Sequence, residues 1–259
     1  MLHESTLLAE PLSPPPPPVP DETPKPIAHW MHTAGLLALF VLTTTLTQHR
    51  ATTRDLTQTS RIPSYLISIA MELVLLALVI AGIRKRREFL LHALRSRAHT
   101  FVESLGIGVI VYVLGFMAII AAGIVLSMTP LLHQRNEAVI LAIAPHTPLQ
   151  FLVWFFVSLS AGVCEELVFR GYLLQQLTAW TQRPTLSIII GALLFGSVHL
   201  YEGLGAILPL AALALVYGFV VRYFRGDLRA VIVAHTLQDF IVALLLLARP
   251  YVERMQPHP

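Results

Sequence analysis

Apolar residues along this chain fall into seven long runs, at roughly 28–47, 64–83, 105–127, 148–177, 185–199, 204–224 and 228–248. Runs near 20 residues match the length an α-helix needs to cross about 30 Å of hydrocarbon. The pattern predicts an all-α fold, a polytopic membrane helical bundle. An eighth, partly buried helix is expected within 129–147, where Leu131, Leu132, Val139, Ile140, Leu141 and Ile143 are apolar. The expected count is therefore seven or eight transmembrane helices. The chain divides into a Pro-rich tail at 1–27, amino-terminal helices at 28–147, a helical core at 148–250 and a short tail at 251–259. The first tail holds Pro14 to Pro18 in one run, then Pro20, Pro24 and Pro26. Proline fixes φ and lacks an amide donor, so this tail is expected to be extended or disordered.

Composition agrees with the runs. The chain is 55% hydrophobic and 13% charged, with a mean hydropathy of +0.69. Soluble domains carry about 25% charged residues, so this chain could not cover a water-facing surface. The net charge of +3 is spread over short loops. Its densest cluster, Arg84-Lys85-Arg86-Arg87, directly follows the second run and reads as topology and lipid headgroup contact rather than a nucleic-acid surface. With seven spans and the N-terminus inside, eleven Lys and Arg residues fall on the inner face and six on the outer, with Arg170 counted on neither. That bias predicts a cytoplasmic N-terminus in a plasma (inner) membrane. The single cysteine, Cys164, excludes an internal disulfide and a Cys-based zinc site, and is expected to be a small packing residue.

The polar residues inside the runs are the informative ones. The fourth run carries Glu165, Glu166 and Arg170, the fifth ends near His199, and the seventh holds His235 and Asp239. A carboxylate inside a membrane costs roughly 2.5–3.5 kcal/mol on insertion scales. Glu166 and Arg170 are four residues apart, so an ion pair along one helix face is expected. Glu165 lies about 100° round and is free to face something else. His235 and Asp239 share a face by the same spacing, and Phe195 falls beneath the imidazole of His199. Glu72, alone in the second run, is expected to be a packing or partner carboxylate. Phe195 is read as a packing ring and Trp154-Phe155-Phe156 as lipid-facing or core surface. Ser158, Ser160 and Ser197 read as small packing residues. His32, His133, His146 and His258 lie in or near loops, outside the expected site.

A carboxylate in a dry cavity can act as general base on water. A neutral imidazole can orient that water, and a second imidazole with a polar neighbour can stabilise an oxyanion. Alternatively Glu165, His199, His235 and Asp239 could hold a divalent metal such as zinc; no other cofactor is expected. This inventory suits amide hydrolysis by activated water and lacks a convincing serine or cysteine nucleophile. Intramembrane Glu, His and Arg also build proton relays in carriers, although no internal repeat is evident here. A non-catalytic membrane scaffold or immunity protein is the third reading.

The motifs Glu165-Glu166-x-x-x-Arg170, Phe195-x-x-x-His199 and His235-x-x-x-Asp239, in that order and each in an apolar helix, resemble the CAAX prenyl protease and bacteriocin-processing (CPBP, or Abi) family of intramembrane proteases. The resemblance covers about residues 149–248. It implies a helical membrane enzyme with its site in a conical cavity within the bilayer. It implies that Glu165 activates water with help from His199, that His235 and residue 239 form the oxyanion side, and that Glu166 and Arg170 are a structural pair. The expected partner is a membrane-associated or lipid-modified peptide or protein substrate. One departure stands out: family members often carry asparagine where this chain has Asp239. Asparagine donates a hydrogen bond to an oxyanion and an ionised aspartate does not.

Overall fold

The computed structural model describes residues 24–53, 61–94, 100–130 and 134–255. The run Pro14–Pro18, Pro20, Leu131, Leu132, His133 and His258 therefore lie outside the described residues. All regular structure among the described residues is helical. In chain order it comprises α1 (Trp30–Thr53), α2 (Arg61–Gly82), a short α3 (Arg86–Leu94), α4 (Phe101–Ser127) and a short α5 (Glu137–Ile143). Then α6 (Pro148–Glu166) continues through a π-helical turn (Leu167–Leu173) into α7 (Leu174–Thr181). It is followed by α8 (Pro184–Val198), a 3-10 turn (Leu200–Glu202), α9 (Leu204–Tyr223) and α10 (Arg229–Met255).

Every apolar run becomes a helix, but among the described residues fewer helices meet the length and hydropathy of a membrane span than there are runs. Five helical stretches are long and apolar enough to span a membrane: Arg61–Gly82, Phe101–Ser127, Pro148–Thr181, Leu204–Tyr223 and Arg229–Leu247. The apolar parts of α1 and α8, Trp30–Leu46 and Pro184–Val198, are shorter. Among the described residues of 129–147, where an eighth, partly buried helix was expected, the helix is the short α5. Its seven residues rise about 10 Å, a third of the hydrocarbon thickness. At the carboxyl end α10 runs on to Met255, into the stretch expected as a tail.

Local signals account for where the helices start. Thr100 and Glu103 form a reciprocal capping box at the start of α4, and the Thr147 hydroxyl accepts the Gln150 amide at 3.2 Å ahead of Pro148 in α6. The chain before α1 is pinned by one glutamine. Gln176 Oε1 on α7 accepts the amides of Ile27 and Ala28 at 3.1 and 3.2 Å, and its Nε2 donates to the Ala28 carbonyl at 3.0 Å. Residues 24–28 are thereby tied to the body of the protein rather than left as part of a loose tail.

In the carboxyl-terminal half, α10 packs against α4 and α6, α9 lies against α4 and α8, and α2 covers α6. Gly162 sets the closest approach of α6 to α10. A Cβ there would stand 2.5 Å from Thr236 Oγ1 and 3.0 Å from the Ile232 carbonyl, so only a hydrogen fits. Tyr172, Phe195 and Tyr217 fill the centre, while the outer faces of α2 and α4 expose Ile67, Val74, Val109 and Ile110. The inside is where the polar groups are. In a soluble fold that arrangement would be reversed.

Candidate active site

The last turn of α6 and the π turn after it place three charged side chains in the core. Glu166 is fully buried, and its Oε1 accepts two hydrogen bonds: one from Arg170 Nη1 at 2.9 Å and one from His235 Nδ1 at 2.7 Å. The expected Glu166–Arg170 pair is present, and it has a third member. Arg170 also lies over two rings, with its guanidinium carbon 4.5 Å from the Phe195 centroid and 5.4 Å from that of Tyr217. Charge-assisted hydrogen bonds and ring faces together offset part of the desolvation cost of this buried cluster. All seven residues of the π turn are buried. Such turns often mark functional stretches of a helix.

The two imidazoles are held in the same way. His235 directs Nδ1 at Glu166, and its Nε2 lies 3.9 Å from Glu165 Oε2 and 3.7 Å from Asp239 Oδ2. His199, at the carboxyl cap of α8, directs Nδ1 at the Phe195 carbonyl at 2.8 Å, and its ring sits 4.9 Å from the Phe195 ring. In each case Nδ1–H donates to a protein oxygen, which fixes the ring and leaves Nε2 available. Phe195 does more than pack, since its ring also meets His235 at 5.9 Å. It is a common floor for both imidazoles and for Arg170.

Glu165, His199, His235 and Asp239 all line one cavity of about 590 Å³, within the range typical of small-ligand sites. Glu166 and Arg170 do not line it; they stand behind His235. Glu165 Oε2 is sealed off from solvent and has no hydrogen-bond partner. Trp154, expected as lipid-facing or core surface, lines the cavity and donates its Nε1–H to the Asp239 carbonyl at 3.3 Å.

Other residues line the cavity as well. Glu72, expected as a packing or partner carboxylate, enters from α2 and accepts a short hydrogen bond from Ser160 on α6. Its signal was legible, as the only carboxylate in the second run. Gln238 and Tyr201 carry no charge and gave none. Tyr201 sits on the 3-10 turn after His199, and burial holds its phenol well above the ordinary range, so it stays a neutral hydroxyl. That turn is strapped by the stretch leading into α5. Asn136 N donates to the Glu202 carbonyl at 2.7 Å and Gly205 N to the Gln134 carbonyl at 3.2 Å. Gly203, with φ at +99°, lets the two strands of chain touch, since a Cβ there would run into the Gln134 carbonyl. At the other end of α5, Arg61 Nε and Tyr65 OH donate to the carbonyls of Ala142 and Ile143 at 2.9 and 2.6 Å.

Among the described residues no group of three His, Cys, Asp or Glu side chains is arranged to hold a metal ion. His235 Nδ1 is already committed to Glu166, which leaves Nε2 as the only ring nitrogen that could take a further partner.

Together these features define a helical membrane protein with a carboxylate–imidazole site in a cavity inside its bundle. Residues 147–241 match the family model described as type II CAAX prenyl endopeptidase Rce1-like, so this stretch is similar to the CAAX protease family. All six residues of the three motifs that carry charge or an imidazole lie within the matched stretch. No curated protein and no solved structure matches the chain.

Proposed function

We propose that the protein is an intramembrane endopeptidase that hydrolyses a peptide bond of a membrane-associated or lipid-modified substrate. The observation that carries this reading is Glu165 Oε2. It is buried, with no hydrogen-bond partner among the described residues, at a cavity that two imidazoles line, each with its other nitrogen anchored. That is the arrangement a general base needs if a water molecule is to be its partner.

In the proposed reaction Glu165 takes a proton from water as the water oxygen bonds to the scissile carbonyl carbon. The carbonyl π electrons move onto oxygen to form the oxyanion. His199 accepts a hydrogen bond from the water at Nε2 and orients it. His235 faces the oxyanion with Nε2, its charge balanced by Glu166 at Nδ1 and by Asp239 3.7 Å from Nε2. Collapse of the intermediate breaks the C–N bond, and the proton held by Glu165 passes to the departing amine. No step is routed through a metal. Glu166 and Arg170 orient His235 from behind rather than touching substrate. The lysine and arginine bias supports a cytoplasmic N-terminus in the plasma (inner) membrane.

The test is cleavage of an internally quenched, prenylated peptide ending in Cys-aliphatic-aliphatic-X by the protein in proteoliposomes. Wild type should cleave it, and Glu165→Gln should lower the rate by about 10²–10⁴-fold with an unchanged unfolding midpoint. A glutamine variant that cleaves at the wild-type rate would sink the endopeptidase reading.

A further inference from the structure

Asp239 leaves a gap in this chemistry. An ionised carboxylate accepts hydrogen bonds and donates none, whereas an oxyanion is stabilised by donors aimed at it. The residue before it on α10 carries the missing group. Gln238 lies three positions after His235, about 60° round the helix, and lines the same cavity as Glu165, His199, His235 and Asp239. It is only 7% exposed. Its carboxamide makes no hydrogen bond among the described residues. Oε1 is sealed from solvent without a partner among the described residues, and Nε2 donates to none of them.

The other buried glutamine shows what a structural amide looks like in this protein. Gln176 uses both ends, accepting two backbone amides and donating to a carbonyl. Gln238 uses neither. A buried polar group left unpaired is destabilising, and an apolar side chain of similar size would avoid that penalty. The free donor lines the same cavity as the imidazole assigned to the oxyanion and is adjacent in sequence to Asp239.

We infer that Gln238 is a substrate-contacting residue whose Nε2–H donates to the scissile carbonyl oxygen as it becomes an oxyanion, supplying the donor that Asp239 lacks. The inference rests on the endopeptidase reading and assigns that reaction a residue outside its three motifs. The bond strengthens as charge develops on oxygen, so its loss is felt in kcat and hardly in KM.

The experiment compares wild type, Glu165→Gln, Gln238→Leu, Gln238→Glu and Gln238→Asn on the same quenched prenylated peptide in proteoliposomes. Gln238→Leu should lower kcat about 100-fold with KM within about 2-fold. Gln238→Glu should lose as much, because it keeps size and polarity but not the donor. Gln238→Asn should recover part of the rate. The unfolding midpoint of Gln238→Leu should equal or exceed wild type. A leucine variant with full kcat, or with raised KM at unchanged kcat, overturns the inference while Glu165-dependent cleavage keeps the endopeptidase reading. A fall in midpoint with kcat intact reveals a packing role and overturns it too. Absence of any Glu165-dependent cleavage removes both.

Discussion

Helices α4 and α10 are each 27 residues long, lie against each other, and are apolar enough to cross a bilayer. In α4, 17% of the most apolar window is buried, and what it buries is small or apolar: Ser104, Gly108, Val111, Gly115, Ala122 and Leu126. Its only carboxylate, Glu103, caps its first turn. In α10 the buried share is 33%, and the buried residues include His235 and Gln238. Hydropathy places both helices in lipid and does not separate them. What separates them is whether polar groups are turned toward a neighbouring helix. In α10 they meet the end of α6; in α4 the buried polar side chain, Ser104, donates back to the Thr100 carbonyl at the start of its own helix. A wall helix and a site helix can thus share length and hydropathy while doing different work.

If that distinction is right, substitutions in the site helices should be costly in ways that those on the wall are not. The largest expected effect is the loss of cleavage in Glu165→Gln, with folding intact. The largest effect on stability should come from Glu166→Ala. It removes the carboxylate from both Arg170 and His235 and leaves a guanidinium that is 5% exposed without its anion. Breaking one side of a buried charge pair costs about 3–5 kcal/mol. The check is the unfolding midpoint in detergent, and a change under about 1 kcal/mol, the range of an exposed pair, would mean the cluster is not the anchor it looks to be.

The next effect tests the contact between α6 and α10. Gly162→Val adds three carbons where Thr236 and the Ile232 carbonyl already touch. Overpacking of this kind costs about 1–3 kcal/mol. It should also move Glu165, three residues on, away from His235, so activity should fall further than the stability change alone explains. A valine variant with wild-type rate and midpoint would show that the two helices have room to part.

The sequence showed the helices but not their depth or their meeting points. All seven apolar runs are legible because continuous apolar content survives any local irregularity. Whether a run crosses is not, as α1 and α8 show with shorter apolar helices. The nine-residue α3 was invisible, being too short for a period to show, while the helix expected within 129–147 is the seven-residue α5. The π turn had no marker, because LVFRGYL reads like any apolar helix. Within the site, i,i+4 spacing found Glu166 with Arg170 because that pair is local to one helix. It could not find Glu166 with His235, 69 residues apart, since only tertiary packing joins them. Charge drew attention to Glu165 and Asp239, and for the same reason passed over Gln238.

The smallest expected effect lies on the outer face of α4. Val113 is 49% exposed and does not line the cavity. Val113→Leu should leave cleavage unchanged and shift stability by less than about 0.5 kcal/mol, as surface substitutions generally do. Leucine is also the replacement that should abolish most of the turnover at Gln238. Using the same residue at both positions holds the chemistry of the substitution constant and varies only its place in the bundle. Loss of activity in Val113→Leu would mean that α4 bears on the site through α10, and the division into wall and site helices would have to be given up.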